Sequence, residues 1–155
     1  MTDTDAVEAA LETLVVEREL PHPPEKIWRA LTTSALIADW LMPNDFAPEP
    51  GRKFAFRGQP VPHWDGVIDG EVLEVEPPVR LAYRWDTGAD PASGLRTIVT
   101  FTLTPVAGGT RVRMEQAGFR PGQEFNLKGA RFGWERMLGD LERVAGALAD
   151  GGPGQ

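Results

Sequence analysis

No cysteine occurs among the 155 residues, which excludes disulfides, thiolate metal sites and a cysteine nucleophile. Histidine is scarce: His22 and His63 are the two present, whereas a metal centre needs three or four convergent ligands. Bases are in the minority, 16 against 23 acids, giving a net charge of −7. Such a chain is a poor partner for nucleic acid, whose affinity rests on neutralising phosphates with Lys and Arg. Its arginines also form no stripe with interleaved aromatics. No stretch approaches the roughly 18 consecutive apolar residues of a membrane span. The first ten residues carry Asp3, Asp5 and Glu8 and no base, the wrong charge for a secretory or transit leader. The missing leader and missing thiols lead to the expectation of a cytoplasmic protein. There is no Gly-x-Ser-x-Gly elbow and no glycine-rich loop entering a helix to cradle phosphate.

What is present is an ordinary globular composition, 41% hydrophobic and 25% charged, on a length that suits one domain. We expect that domain over 11–149, with 1–10 and 150–155 as flexible termini. Leu11 to Leu20 reads as a strand, ended by Pro21, Pro23 and Pro24. Glu25 to Thr33 reads as a helix opened by Pro24, and Ser34 to Leu41 as a second short helix capped by Ser34. Strands are expected over Arg52–Arg57, Trp64–Glu76, Arg80–Trp85, Arg96–Thr104 and Arg111–Ala117, from their alternation and bounding turns. Gly66 and Gly70 within the long third strand mark a bulge or bend. Gly108-Gly109 is a hairpin signal. Gln123 to Ala149 reads as one long helix, with Phe132, Trp134, Met137, Leu138 and Leu141 recurring at helical spacing.

This order predicts an α+β fold: a curved six-stranded antiparallel sheet wrapped around a long C-terminal helix, with two short helices after strand 1. Consecutive strands on short turns pair antiparallel. Their one apolar face needs a cover, and the C-terminal helix is the only element long enough to supply it. A sheet bent around one rod leaves a gap between its concave face, the rod and the short helices. The expectation is a closed apolar cavity of about several hundred Å³, the usual scale for ligand sites.

Two stretches, Pro23-Pro24-Glu25-Lys26-Ile27-Trp28-Arg29-Ala30-Leu31-Thr32 and Ala38-Asp39-Trp40, resemble the opening of the START-like (SRPBCC) superfamily of polyketide cyclases and Bet v-type allergens. More narrowly they are similar to bacterial proteins related to the activator of Hsp-90 ATPase. The pattern continues in Pro50-Gly51 before Phe54 and in Gly70-Glu71-Val72-Leu73-Glu74-Val75-Glu76-Pro77-Pro78 before Leu81 and Trp85. It ends in Gly109-Thr110 and in Gly133-Trp134 with Leu138 and Leu141. The resemblance covers about Leu11 to Ala149 and implies the helix-grip fold. Superfamily members bind lipids, hormones or polyketides, some cyclise or hydrolyse ligands, and some act on chaperones.

The candidate pocket residues are Trp40, Phe54, Phe56, Trp64, Tyr83, Trp85, Phe101, Met114, Gln116, Phe132, Met137 and Leu141. Five Trp is a high count for this length, and Trp keeps its N–H near a polar partner or water. Each residue singly reads as core packing, and only the set points to a cavity. Tyr83 and Gln116 would face inward and hydrogen-bond a ligand, or be buried polar groups satisfied by a neighbour. His63 at a pocket mouth could serve as general base or be a solvated loop residue. Asp69 and Glu71 share a strand face, with Glu74 opposite if the strand is unbulged. No catalytic residue, metal or cofactor is assigned.

Three functions follow. The first is binding of a small apolar molecule, lipid- or polyketide-like, in the pocket. The second, by resemblance, is a co-chaperone-like module regulating a chaperone ATPase. That activity involves an additional N-terminal domain in larger members, for which this sequence has no room. The third is a cyclase or hydrolase of the polyketide cyclase type, which needs a positioned acid–base group. The partner is expected to be a small apolar molecule or a chaperone, and the chain a monomer or homodimer.

Overall fold

A computed structural model describes residues 11–62, 64–88 and 94–148. The elements run β1 (Glu12–Leu20), α1 (Pro24–Thr32), α2 (Ser34–Trp40), β2 (Lys53–Arg57), β3 (Val67–Glu76), β4 (Arg80–Thr87), β5 (Arg96–Val106), β6 (Gly109–Phe119) and α3 (Glu124–Gly146). The strands form one sheet ordered β1-β6-β5-β4-β3-β2, and every neighbouring pair is antiparallel. β1 therefore reaches the far side of the sheet, and α1 and α2 span the gap between the two edge strands. Gly108 takes φ +81 in the β5–β6 turn, a backbone conformation that costs glycine little.

Alternation decides which face is covered. Thr97, Val99, Phe101 and Leu103 of β5, with Val112, Met114 and Gln116 of β6, are buried on the inner face. The outer face carries ion pairs such as Arg111–Glu19 at 2.9 Å and Arg113–Glu17 at 3.0 Å. Glu17, and then Glu115, hold the Arg113 guanidinium above its usual ionisation range. α3 lies across the inner face and buries Trp134, Leu138, Leu141, Val144 and Ala145. One core cluster joins these to Ile27, Leu31, Ile37 and Trp40 of the short helices. The architecture is the helix-grip arrangement expected from the order of elements.

Local details depart from the sequence expectations. Ser34 does not cap α2; its hydroxyl donates to Asn44 O at 3.0 Å and Asn44 Nδ2 returns to Ser34 O at 3.1 Å, clasping the following loop. β3 starts at Val67 rather than Trp64, because Asp65-Gly66 turn the chain. Gly66 takes φ +85, where a Cβ would sit 2.6 Å from Gly58 O, and Asp65 Oδ1 accepts from Val67 N. Gly70 is not the bulge: the Phe54 ring occupies the space a Cβ there would need. The register shifts instead between Val72 and Glu74. That extra residue, Leu73, puts Glu74 opposite Ala82. Glu74 therefore joins Asp69 and Glu71 on the outer face, where it pairs with Arg80 at 3.1 Å.

Candidate functional site

Among the described residues, the interior of the grip is packed with side chains at or near zero exposure. A ribbon of rings crosses it: Phe46–Phe54 and Phe54–Phe56 at 5.1 Å, Phe56–Trp85 at 5.5 Å, Trp85–Trp134 at 5.1 Å and Trp134–Phe101 at 5.7 Å. Trp40 joins edge-on to Phe101 and donates its indole N–H to Ala30 O at 2.8 Å. Such contacts contribute about 0.5–1.5 kcal/mol each beyond area burial. Among the described residues, packed side chains occupy the place where the closed cavity between sheet, long helix and short helices is expected.

The open space lies at one end of the sheet. An open groove of about 910 Å³ runs between the β2–β3 connection, the β4–β5 connection and the first turns of α3. Met42, Trp64, Ile68, Trp85, Leu95 and Ala130 give it apolar walls, Val61 and Gly129 line it further out, and Asp65, Thr87 and Asn126 are its polar side chains. Two arginines hold the rim. Arg96 donates to Thr87 O at 2.8 Å, Leu95 O at 2.7 Å and Gly88 O at 2.9 Å. Arg120 donates to Gly94 O at 2.9 Å, tying the rim to the start of α3, as does Gln123 Nε2 at 3.2 Å. Smaller hollows of about 310 Å³ lie beside β1 and on the outer face of β2–β4, and both are lined largely by charged residues.

Of the twelve candidate pocket residues, the groove gathers Trp64 and Trp85. Trp40, Phe54, Phe56, Tyr83, Phe101, Met114 and Leu141 are core residues, Gln116 is a buried polar residue, and Met137 packs partly buried against the core. Phe132 stands outside, 72% exposed. It lies two residues from buried Trp134, which on an α-helix is roughly 200° around the axis. Burial pushes the Tyr83 phenol far above its ordinary ionisation range. Gln116 is satisfied internally: Nε2 donates to Thr97 Oγ1 at 3.0 Å, and Oε1 accepts from Trp134 Nε1 at 2.9 Å. The remaining groove residues are Ile68 of β3, Thr87 of β4, loop residues, and a helix face whose small residues gave no signal in the sequence.

His63 lies outside the described residues. His22 sits against the C-terminal end of α3, beside Gly146. That is 17 residues beyond Gly129 of the groove, or about 25 Å along the helix. Among the described residues no group of three or more His, Asp or Glu is placed to hold a metal. Asp65 is the one titratable side chain in the described lining. No helix among the described residues is long and apolar enough to cross a membrane.

A six-stranded antiparallel sheet gripping one long helix, with its open space at the loop end, defines a START-like protein. The family model for activator of Hsp90 ATPase homolog 1-like proteins matches residues 21–146, so the chain belongs to that family. Among solved structures it is similar to MLL2253 from Mesorhizobium loti, at 49% identity and a TM-score of 0.80, over 89% of this chain and 99% of that one. It is also similar to DynU16, a protein of the dynemicin biosynthetic locus, at 26% identity and a TM-score of 0.72, over 87% of this chain and 47% of that one. CalU16 from Micromonospora echinospora shares the fold, at 23% identity and a TM-score of 0.71, over 88% of this chain and 78% of that one. No curated protein is significantly similar.

Proposed function

We propose that the chain binds a small, largely apolar molecule in the groove between the β2–β3 loop, the β4–β5 loop and the start of α3. The observation that carries this reading is the groove itself. Its volume of about 910 Å³ falls in the range of ligand sites, which are typically apolar with a few placed polar groups. The place of the similar DynU16 in a biosynthetic locus is compatible with a ligand-handling role. The cyclase or hydrolase reading draws no support from the described lining, which offers Asp65 but no second acid–base group within it.

The test is a thermal-shift screen of lipids, sterols and aromatic polyketides, preceded by native mass spectrometry to detect a co-purified molecule. Binding raises the melting temperature by mass action, by about 5–10 °C at a hundredfold excess over Kd for a chain of this size. Gly129→Trp is the control. A Cβ at Gly129 meets nothing within 4 Å, so the new side chain occupies the groove while the fold tolerates it. A shift in the wild type that vanishes in Gly129→Trp supports the site; a shift of equal size in both removes it.

A protein-interaction role on a chaperone ATPase is the second reading. Phe125 and Phe132, 87% and 72% exposed, favour it: they stand seven residues apart and so share the outward face of α3. The double variant Phe125→Ser, Phe132→Ser should then abolish stimulation of a chaperone ATPase by this chain. Absence of stimulation by the wild type rejects the reading.

A further inference from the structure

We infer that the groove selects an uncharged apolar molecule bearing a hydrogen-bond acceptor, such as a ketone, over a carboxylate of the same shape. This rests on the groove being a ligand site and names what the site takes. The first ground is electrostatic. The described lining holds no lysine or arginine, and α3 contributes only Asn126, Gly129 and Ala130 to it. Arg96, which follows the β4–β5 connection, spends its guanidinium on three backbone carbonyls. The one charged side chain in the described lining is Asp65, an anion. A carboxylate entering this space would lose hydration and meet in the described lining an anion and no cation, a large cost.

The second ground is donor chemistry. Trp64 uses its indole N–H on Val67 O at 3.2 Å, and Thr87 Oγ1 accepts from Leu95 N at 3.2 Å. Trp85 differs: its ring lines the groove, yet its indole N–H has no acceptor among the described residues. It is not sealed away either, since the one buried side-chain polar atom left without a partner among the described residues is Asp86 Oδ1. The Asn126 amide, exposed on the opposite wall, likewise makes no hydrogen bond with the described residues. Two unspent donors set in apolar walls fit a carbonyl or ether oxygen on an otherwise apolar body.

Three probes with one ring system separate the grounds: acetylnaphthalene, ethylnaphthalene and naphthoate, titrated calorimetrically at neutral pH. The ketone should bind about five- to tenfold tighter than the hydrocarbon, the worth of one hydrogen bond. Naphthoate should bind more than about tenfold weaker than the ketone. Trp85→Phe should erase most of the preference for ketone over hydrocarbon. Asn126→Lys, at an exposed position that leaves the core intact, should raise naphthoate affinity about tenfold. Naphthoate matching or exceeding the ketone in the wild type overturns the inference and leaves the groove as a site, provided Gly129→Trp abolishes that binding. Binding that survives Gly129→Trp, or no binding of any probe, overturns the groove reading and the inference together.

Discussion

Gln116 shows how a single buried amide fixes the relation between sheet and helix. Its two ends bind Thr97 of the neighbouring strand and Trp134 of α3, and Thr97 Oγ1 donates onward to Trp85 O at 2.7 Å. Gln116→Leu leaves the Trp134 N–H buried without an acceptor, which costs about 1–3 kcal/mol. Urea unfolding is expected to show that loss. It should shrink when Trp134→Phe removes the stranded donor in the same chain, a coupling that a double-mutant cycle measures. Phe132→Ala, by contrast, should stay within about 0.5 kcal/mol of wild type, as an exposed side chain does. Alternation along β6 placed Gln116 on the inner face, but not what it would bind there. The acceptor it needs and the donor it serves come from residues 19 and 18 positions away in the chain.

At the scale of elements, α3 begins with an electrostatic device. Glu124 lies in its first turn. Its carboxylate is held below the ordinary glutamate range first by its own backbone N–H and then by that of Gly122, whose N–H lies 3.2 Å from Oε1. A carboxylate lowered by folding contributes stability that is present above its unfolded pKa and lost as pH falls through the folded one. Glu124→Gln is therefore expected to weaken the wild-type decline in stability between about pH 5 and about pH 3. Denaturant midpoints measured across that range check this, and parallel curves for the two proteins count against it. The existence and order of the elements could be read from hydrophobic periodicity and proline positions. The shift at Leu73 could not, since Gly70 was the residue that looked like a bulge. Its glycine instead makes room for Phe54, a neighbour 16 positions earlier in sequence.

At the scale of the whole molecule, both sheet edges are guarded. On β2, Ala55 N donates to Asp45 Oδ1 at 2.8 Å and Arg57 N to Pro43 O at 2.9 Å, so the preceding loop covers the open backbone. On β1, the Arg131 guanidinium reaches Val15 O at 3.4 Å. Unpaired edges recruit other strands, and charged residues and covering loops blunt that tendency. The purified chain is expected to run as a monomer in light scattering, and Arg131→Val to add a concentration-dependent dimer. A wild-type dimer that Arg131→Val leaves unchanged counts against edge protection as the cause.

The sequence by itself determined the helix-grip architecture and the identity of the inner face. Strand alternation, turn residues and one long apolar helix period leave few ways to bury one face of six strands. It did not determine where the space would be. The aromatic residues most suggestive of a pocket pack against one another once α3 closes on the sheet, because rings large enough to line a cavity are also large enough to fill it. The groove arises where two hairpin connections and a run of small helical residues fail to meet. That shortfall depends on distances between segments remote in the chain, which no local pattern of residues encodes.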